Sequence, residues 1–195
     1  MVIAQVQPAP PQQRDPEIED LALALPKTLE EYLANPVENH EWVDGKLVEK
    51  TGVGFQHSNI QGNLYFHWRT FVQSQQLGGR VLVEPDCRTL ERGRKPDVAY
   101  LPAELLERYG EFTFLPQSYP LIGEIISPTD SGEDIFLKAQ EYLGSGALEV
   151  WLVFPKSKHL FIQTQEQNLW LTEKDIAKTQ EILPGFEIAV SELLN

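Results

Sequence analysis

The chain has 195 residues, with 16 Lys+Arg against 29 Asp+Glu, a formal net charge of −13 and 42% hydrophobic residues. That is apolar material for one core at roughly 100–200 residues per domain, and the charge lacks the basic excess of a sequence-independent duplex binder. A single cysteine, Cys87, excludes an intrachain disulfide framework and a cysteine-built zinc site, and no apolar run approaches the ~20 residues that span a bilayer. The amino-terminal residues show no basic stretch followed by an uninterrupted apolar one, so no export signal is expected and the predicted setting is reduced and cytoplasmic.

Residues 1–26 carry Pro8, Pro10, Pro11, Pro16 and Pro26 among glutamines and predict a disordered or loosely packed leader. Residues 27–195 are then expected to form a single domain. Thr28 as cap, Glu31 three residues on and Pro36 beyond predict a short helix. The alternation of HEWVDGKLVEK about Asp44-Gly45 predicts a two-residue hairpin. Ile60, Leu64, Trp68, Phe71 and Val72 recur at helical spacing, and Gly78-Gly79 is expected to close that helix. Three strand-like segments come next, RVLVEPDCRTL, PDVAYL and PLIGEIIS, with a short helix in PAELLERY. A second long helix, Gly132 to Leu143, leads to the dense apolar strand LEVWLVF. A β-meander and a terminal helical turn complete the chain. Strands on both sides of a crossover helix predict an α/β (α+β) fold, a mixed sheet flanked by helices.

The chemistry-bearing residues stand out against that pattern. Glu124 lies within the apolar run PLIGEIIS, and Asp97 opens the apolar PDVAYL. Burying an ionised carboxylate costs several kcal/mol unless a cation or hydrogen bonds compensate it. If the two strands are neighbours, the carboxylates converge, and convergent oxygens suit Mg²⁺ or Mn²⁺. Pairing of Glu124 with a buried Lys or Arg satisfies the same requirement, and from spacing alone both readings stand. Between Gly79 and Lys95 five basic residues face three acidic ones, whereas Pro96 to Leu137 holds eight acidic residues and only Arg108 as a base. This uneven distribution is compatible with a metal-dependent phosphodiesterase and equally with a solvated surface. Cys87 has no visible activating base. Trp42, Trp68 and Trp151 read as core or interface aromatics.

The stretches EWVDGKLVEK, QHSNIQGNLYFHW, KPDVAY, LIGEIISPTD, DIFLKAQEYLGSGALEVWLV and PGFEIAVSELL, in this order, resemble the Uma-type restriction endonuclease family of the PD-(D/E)XK nuclease superfamily. The likeness runs from about Glu30 to Leu194. It implies the restriction endonuclease-like fold, with Asp97 as the acid of the "PD" element and Glu124 as the second acid. Both would ligate a metal together with the backbone carbonyl of Ile125. The superfamily pattern places Lys two residues after the second acid, but this chain has Ile126 there. The resemblance points instead to Lys138 on the following helix, for which a surface pair with Asp134 is the alternative. Glu41, in the first hairpin, is a further candidate ligand or an exposed hairpin residue.

His57 and Gln140 are accessory candidates, His57 also as a polar cap of its helix. Glu149 matches the family and is read as a structural hydrogen-bond acceptor. The implied activity is Mg²⁺- or Mn²⁺-dependent hydrolysis of phosphodiester bonds in nucleic acid, DNA foremost, with Arg88, Arg92, Arg94 and Lys95 along the phosphate backbone. The resemblance leaves room for a homodimer and implies no membrane partner. The acidic charge and the displaced lysine favour the competing expectation, an inactive nuclease-fold protein that serves as a binding or oligomeric interaction module.

Overall fold

The computed structural model describes residues 25–50, 54–128 and 130–195. The expected leader lies outside the described residues except for Leu25 and Pro26. No described helix is long and apolar enough to cross a membrane.

The chain opens with α1 (Leu29–Ala34), capped by the Thr28 side chain, which accepts from the Glu31 amide. The Glu31 carboxylate reaches back to the Lys27 amide at 2.7 Å, one residue ahead of the cap. The hairpin β1 (His40–Val43) and β2 (Lys46–Glu49) pairs Val43 with Lys46 across a two-residue loop. Asp44 and Gly45 both take left-handed backbone, at φ 50° and 78°, which is the type I′ geometry that matches strand twist.

The long helix α2 (Phe55–Ser74) stops before the glycines expected to end it. Gln76 takes the left-handed position at φ 54°. The Leu77 amide donates to the Val72 carbonyl and the Gln76 amide to that of Gln73, a Schellman closure built without glycine. Gly78 and Gly79, both at positive φ, turn the chain into β3 (Arg80–Val83).

The segment RVLVEPDCRTL, expected as one strand, is broken at Glu84-Pro85. Glu84 sits at φ 49° and Pro85 has no amide to offer a ladder. Past this break, β4 (Cys87–Arg88) joins β5 (Gly93–Arg94) and the hairpin in a separate four-stranded sheet of order β2-β1-β5-β4.

The main sheet is built from β6 (Val98–Leu101), β7 (Leu121–Ile125), β8 (Glu149–Phe154), β9 (His159–Thr164) and β10 (Asn168–Thr172), together with β3. Its order is β10-β9-β8-β7-β6-β3, with β7 and β8 parallel and the other pairs antiparallel. The short helix α3 (Ala103–Tyr109) links β6 towards β7. The parallel pair requires a crossover, supplied by α4 (Gly132–Gly144). The expected meander holds for β9 and β10. Beyond it, β11 (Ile176–Lys178) and β12 (Glu187–Ala189) form a two-stranded sheet of their own before α5 (Val190–Leu194).

Strand alternation sorts the core into two layers. Val98, Tyr100, Leu121, Ile125, Trp151 and Val153 face α2, which contributes Ile60, Leu64, Trp68 and Val72. Ala99, Leu101, Ile122, Val150 and Leu152 face α4, through Ile135, Ala139, Tyr142 and Leu143. Each fully buried large apolar side chain is worth about 1.5–3 kcal/mol, so the two layers fix α2 and α4 on opposite faces. Trp68 and Trp151 meet edge to face at 5.7 Å within the α2 layer. Trp42 packs with Tyr32 in a small satellite core.

Gly123 is what allows α2 to lie close over β7. A Cβ there would stand 2.3 Å from Leu64 Cδ2 and 3.3 Å from Trp68 Cη2. Because Leu64 and Trp68 are fully buried, Gly123→Ala is expected to destabilise the protein by ~1–3 kcal/mol through overpacking. The checking measurement is the urea midpoint followed by circular dichroism, where an unchanged midpoint would show that the layer yields freely.

Candidate functional site

The antiparallel register of β6 and β7 pairs Val98 with Gly123. One step further along, Asp97, just ahead of β6, therefore stands across from Glu124, whose side chain projects to the face of the sheet that carries α4. Both are buried, at 2% and 6% relative exposure. On α4, Lys138 and Tyr142 are one helical turn apart and share a face. Lys138 Nζ lies 3.0 Å from Glu124 Oε1 and 3.0 Å from Glu41 Oε1. Tyr142 donates its hydroxyl to Glu124 Oε1 at 2.7 Å. The alternative of a surface pair with Asp134 is set aside by these contacts, since Lys138 turns inward between two buried acids.

Glu41 comes from the small sheet and reaches the same point. Its Oε2 accepts from Arg94 Nη1 at 2.9 Å and its Oε1 from the Lys95 amide at 3.1 Å. Glu41 is buried, which sets aside the exposed-hairpin alternative. Asp97 has its own set of donors. Lys50 Nζ approaches Oδ1 at 2.8 Å, His57 Nε2 approaches Oδ2 at 3.2 Å, and the Ile125 amide donates to Oδ2 at 2.7 Å. Gln61 of α2 donates to the Asp97 backbone carbonyl at 3.0 Å. His57 sits in the first turn of α2, whose amino-terminal cap is Gly54 with no side-chain cap bond. Its ring is thus committed to Asp97.

These surroundings push the two central acids apart. For Asp97 burial is the largest single influence and raises the pKa, but the His57 hydrogen bond and the Lys50 charge outweigh it and hold the carboxyl well below its usual range. For Glu124 burial again dominates, and the neighbouring negative charges of Asp97 and Glu41 add to it against Lys138 and Lys50. Its pKa rises. Burial also opposes ionisation of Glu41, yet Lys138, Arg94 and the Lys95 amide bring it down to about 2. Lys138 is half-buried, and although burial lowers its pKa, Glu124 and Glu41 raise it above the ordinary lysine value. Burial pushes the Tyr142 phenol well up, so it remains a donor.

Glu124 is thus the member of the pair for which the cations present fall short. The donor set of Asp97, Glu124 and the Ile125 carbonyl is all oxygen, matching a hard divalent cation. The residues fit such an ion.

The sequence-selected basic residues are distributed differently along the chain. Arg94 is buried, and besides Glu41 it meets Glu141 Oε2 at 2.6 Å. Arg92 bridges Asp44 and Glu141 at 2.8 and 2.6 Å on the rim. Lys95 pairs with Asp86 at 2.8 Å, and Arg88 lies 3.4 Å from exposed Glu30. Each of the four faces a carboxylate of this chain. Glu41, Arg92, Arg94, Glu124, Leu137 and Lys138 line one cleft of ≈ 620 Å³. Gln140 is exposed and lines a separate groove with Gln163 and Asn168, which places it apart from Lys138. Glu149 is fully buried and accepts from Trp151 Nε1 at 2.5 Å and from the Gln180 amide at 2.6 Å. Cys87 is buried, and burial pushes its thiol well up.

Sequence reasoning missed Lys50 and Glu141. Lys50 comes after β2 with no partner visible in the local pattern, and Glu141 looks like any polar residue of an amphipathic helix. The i, i+3 spacing of Lys138 and Glu141 was the available signal that both face the small sheet.

The family model Uma2, described as "Putative restriction endonuclease", matches residues 25–191. The chain belongs to this family. A crystal structure described as "a putative nuclease belonging to DUF820 from Anabaena variabilis ATCC 29413" is similar at a TM-score of 0.76 and 22% identity, over 87% of this chain and 98% of that one. The similarity shows the restriction endonuclease-like fold. No curated protein matches.

Glu141 joins α4 to the small sheet through Arg92, Arg94 and the Thr89 hydroxyl. Burial raises its pKa, but the bonds from Arg94, Thr89 and Arg92 lower it further than burial lifts it. A depressed carboxyl stabilises the fold above its unfolded value, near 4.3, and that contribution is lost as pH falls through the folded value. Glu141→Gln is therefore expected to cost about 3 kcal/mol at pH 7, the scale of a broken buried pair. Urea unfolding across pH 3–7 should show the gap to the unsubstituted protein narrowing below about pH 4; a pH-independent gap would contradict this account.

Proposed function

We propose that this protein is a divalent-cation-dependent endonuclease that hydrolyses phosphodiester bonds of nucleic acid, with DNA as the first substrate to test. The observation that carries the reading is the convergence of Asp97 and Glu124 from neighbouring strands with Lys138 from the crossover helix, 3.0 Å from Glu124. Membership of the family described as "Putative restriction endonuclease" supports it.

Asp97, Glu124 and the Ile125 carbonyl would hold the cation, which would supply Lewis-acid charge to the phosphate oxygens and acidify a coordinated water. The remaining roles fall to the protein's own groups. Lys138 stays protonated, because its neighbours raise its pKa. It therefore offsets negative charge and orients a water by donation, and does not act as a base. Glu41 fixes the direction of that ammonium, and Arg94 fixes Glu41. Tyr142, one turn along the same helix face, orients the Glu124 carboxylate by donating to its Oε1. Arg92, on the cleft rim and partly exposed, is the basic residue best placed to meet a phosphate.

The test is cleavage of supercoiled plasmid and of single-stranded RNA by purified protein with Mg²⁺ or Mn²⁺. Asp97→Asn and Glu124→Gln are each expected to reduce the rate at least ~100-fold, and Lys138→Met by a similar factor, the scale of removing one transition-state charge contact. Cleavage that persists in the variants, or proceeds in chelator, would defeat the proposal.

A further inference from the structure

Among the described residues, no three His, Cys, Asp or Glu side chains stand together as a ready cage for a metal. The acids are interleaved with ammonium groups, and the two ammoniums are held very differently. Lys138 is clamped between the carboxylates of Glu41 and Glu124 and is fixed on α4. Lys50 lies beyond the end of β2, with one carboxylate partner, Asp97 Oδ1 at 2.8 Å, and one neutral partner, the Lys95 carbonyl at 2.7 Å. Its side chain is 16% exposed.

Asp97 presents two oxygens. Oδ2 is held from the protein side by the Ile125 amide and His57. Oδ1 is the one that Lys50 occupies. An incoming cation that takes Asp97 as a ligand meets the Lys50 ammonium at that oxygen. Two like charges at contact distance in a partly desolvated cleft repel even at an effective dielectric near 20.

We propose that Lys50 is a resident counter-ion that occupies Asp97 in the resting protein and competes with the divalent cation for that carboxylate, thereby setting the metal affinity of the site. The inference rests on the reading of Asp97 and Glu124 as metal ligands. Lys50 is the ammonium that yields, because releasing Asp97 leaves it bonded to the Lys95 carbonyl, whereas Lys138 would have to leave two carboxylates. In the resting state Lys50 relieves the buried charge of Asp97, and in the loaded state that relief passes to the cation. Lys50 is in this sense a positioning residue, acting on the ligand and not on the substrate.

The experiment is calorimetric titration of the full chain with Mn²⁺ alone, without nucleic acid, together with the thermal midpoint at each Mn²⁺ concentration. Lys50→Met is expected to bind Mn²⁺ about tenfold more tightly or better, given the removed like charge. Its thermal midpoint should be lower than that of the unsubstituted protein without metal and rise by more when Mn²⁺ is added. Lys50→Arg should restore the weaker binding. Should Lys50→Met fail to fold, Lys50→Gln keeps a hydrogen-bond donor for Asp97 without the charge and is expected to show the same tightening. Asp97→Asn and Glu124→Gln serve as controls for the site. If both controls lose Mn²⁺ while Lys50→Met or Lys50→Gln binds no more tightly than the unsubstituted protein, the competition is refuted and the metal site stands. If Mn²⁺ binding is absent or indifferent to both controls, the metal reading fails and the competition falls with it.

Discussion

Two carboxylates on adjoining strands, with their side chains in a dry layer, are the constraint on which the rest of this site depends. Left alone, each would cost several kcal/mol to keep ionised. The fold answers with donors drawn from widely separated parts of the chain: the ammonium of Lys50 from beyond the hairpin, the ring of His57 from the start of α2 and the ammonium of Lys138 from α4. None of these elements could be displaced without leaving a buried charge unmatched. The crossover helix is thus tied to the sheet twice, by its apolar face against Ile122, Val150 and Leu152 and by its ammonium and phenol against Glu124.

The same electrostatics explain why a second, smaller sheet is present. Glu41 on β1 and Arg94 on β5 are its contribution to the site, and Glu141 on α4 closes the circuit back to the crossover helix. Buried ion pairs of this sort add little net stability over an apolar packing of equal volume, but removal of one member is expensive. Their consequence here is alignment. The small sheet has only short strands, two of them of two residues each, and its hydrogen-bond ladder alone would register it loosely. The chain Arg92–Glu141–Arg94–Glu41–Lys138 fixes where the sheet lies against α4, and so fixes the ammonium that faces Glu124.

Periodicity made the main sheet and both long helices legible, because the apolar residues of PDVAYL, PLIGEIIS and LEVWLVF specify buried strands and the Ile60–Val72 pattern specifies α2. The pairing of Asp97 with Glu124 was accessible too, since a carboxylate amid branched apolar residues demands a partner. What local pattern could not reveal is the partner's identity when it comes from far along the chain. Glu41 lies in a hairpin whose alternation is satisfied with either face outward, and Lys50 lies just past its second strand. The basic run Arg88 to Lys95 looked like a phosphate-facing edge because charge density is visible in sequence and direction is not. Its Glu84-Pro85 break and two-residue strands fold Arg94 inward. The early end of α2 was hidden for a related reason, as Gln76 takes a conformation that glycine was expected to supply.

The displaced lysine has a geometric explanation in the same terms. A residue two positions after Glu124 shares its face only while the strand continues. Here β7 ends at Ile125, yet the Ile126 amide still donates to the Val153 carbonyl and its side chain lines the same cleft as Glu124 and Lys138, as an apolar residue. Ile126 packs at the edge of the apolar layer under α4. The helix that must cross that face to reach β8 passes directly above Glu124, and a lysine in its second turn meets the same oxygen from the opposite side. A strand-borne lysine would move with the acid that it neutralises. A helix-borne one couples the acid to the crossover, so the approach of α4 to the sheet governs the charge balance at the site. The ammonium meets Glu124 through its position in space, although in sequence it lies fourteen residues further on.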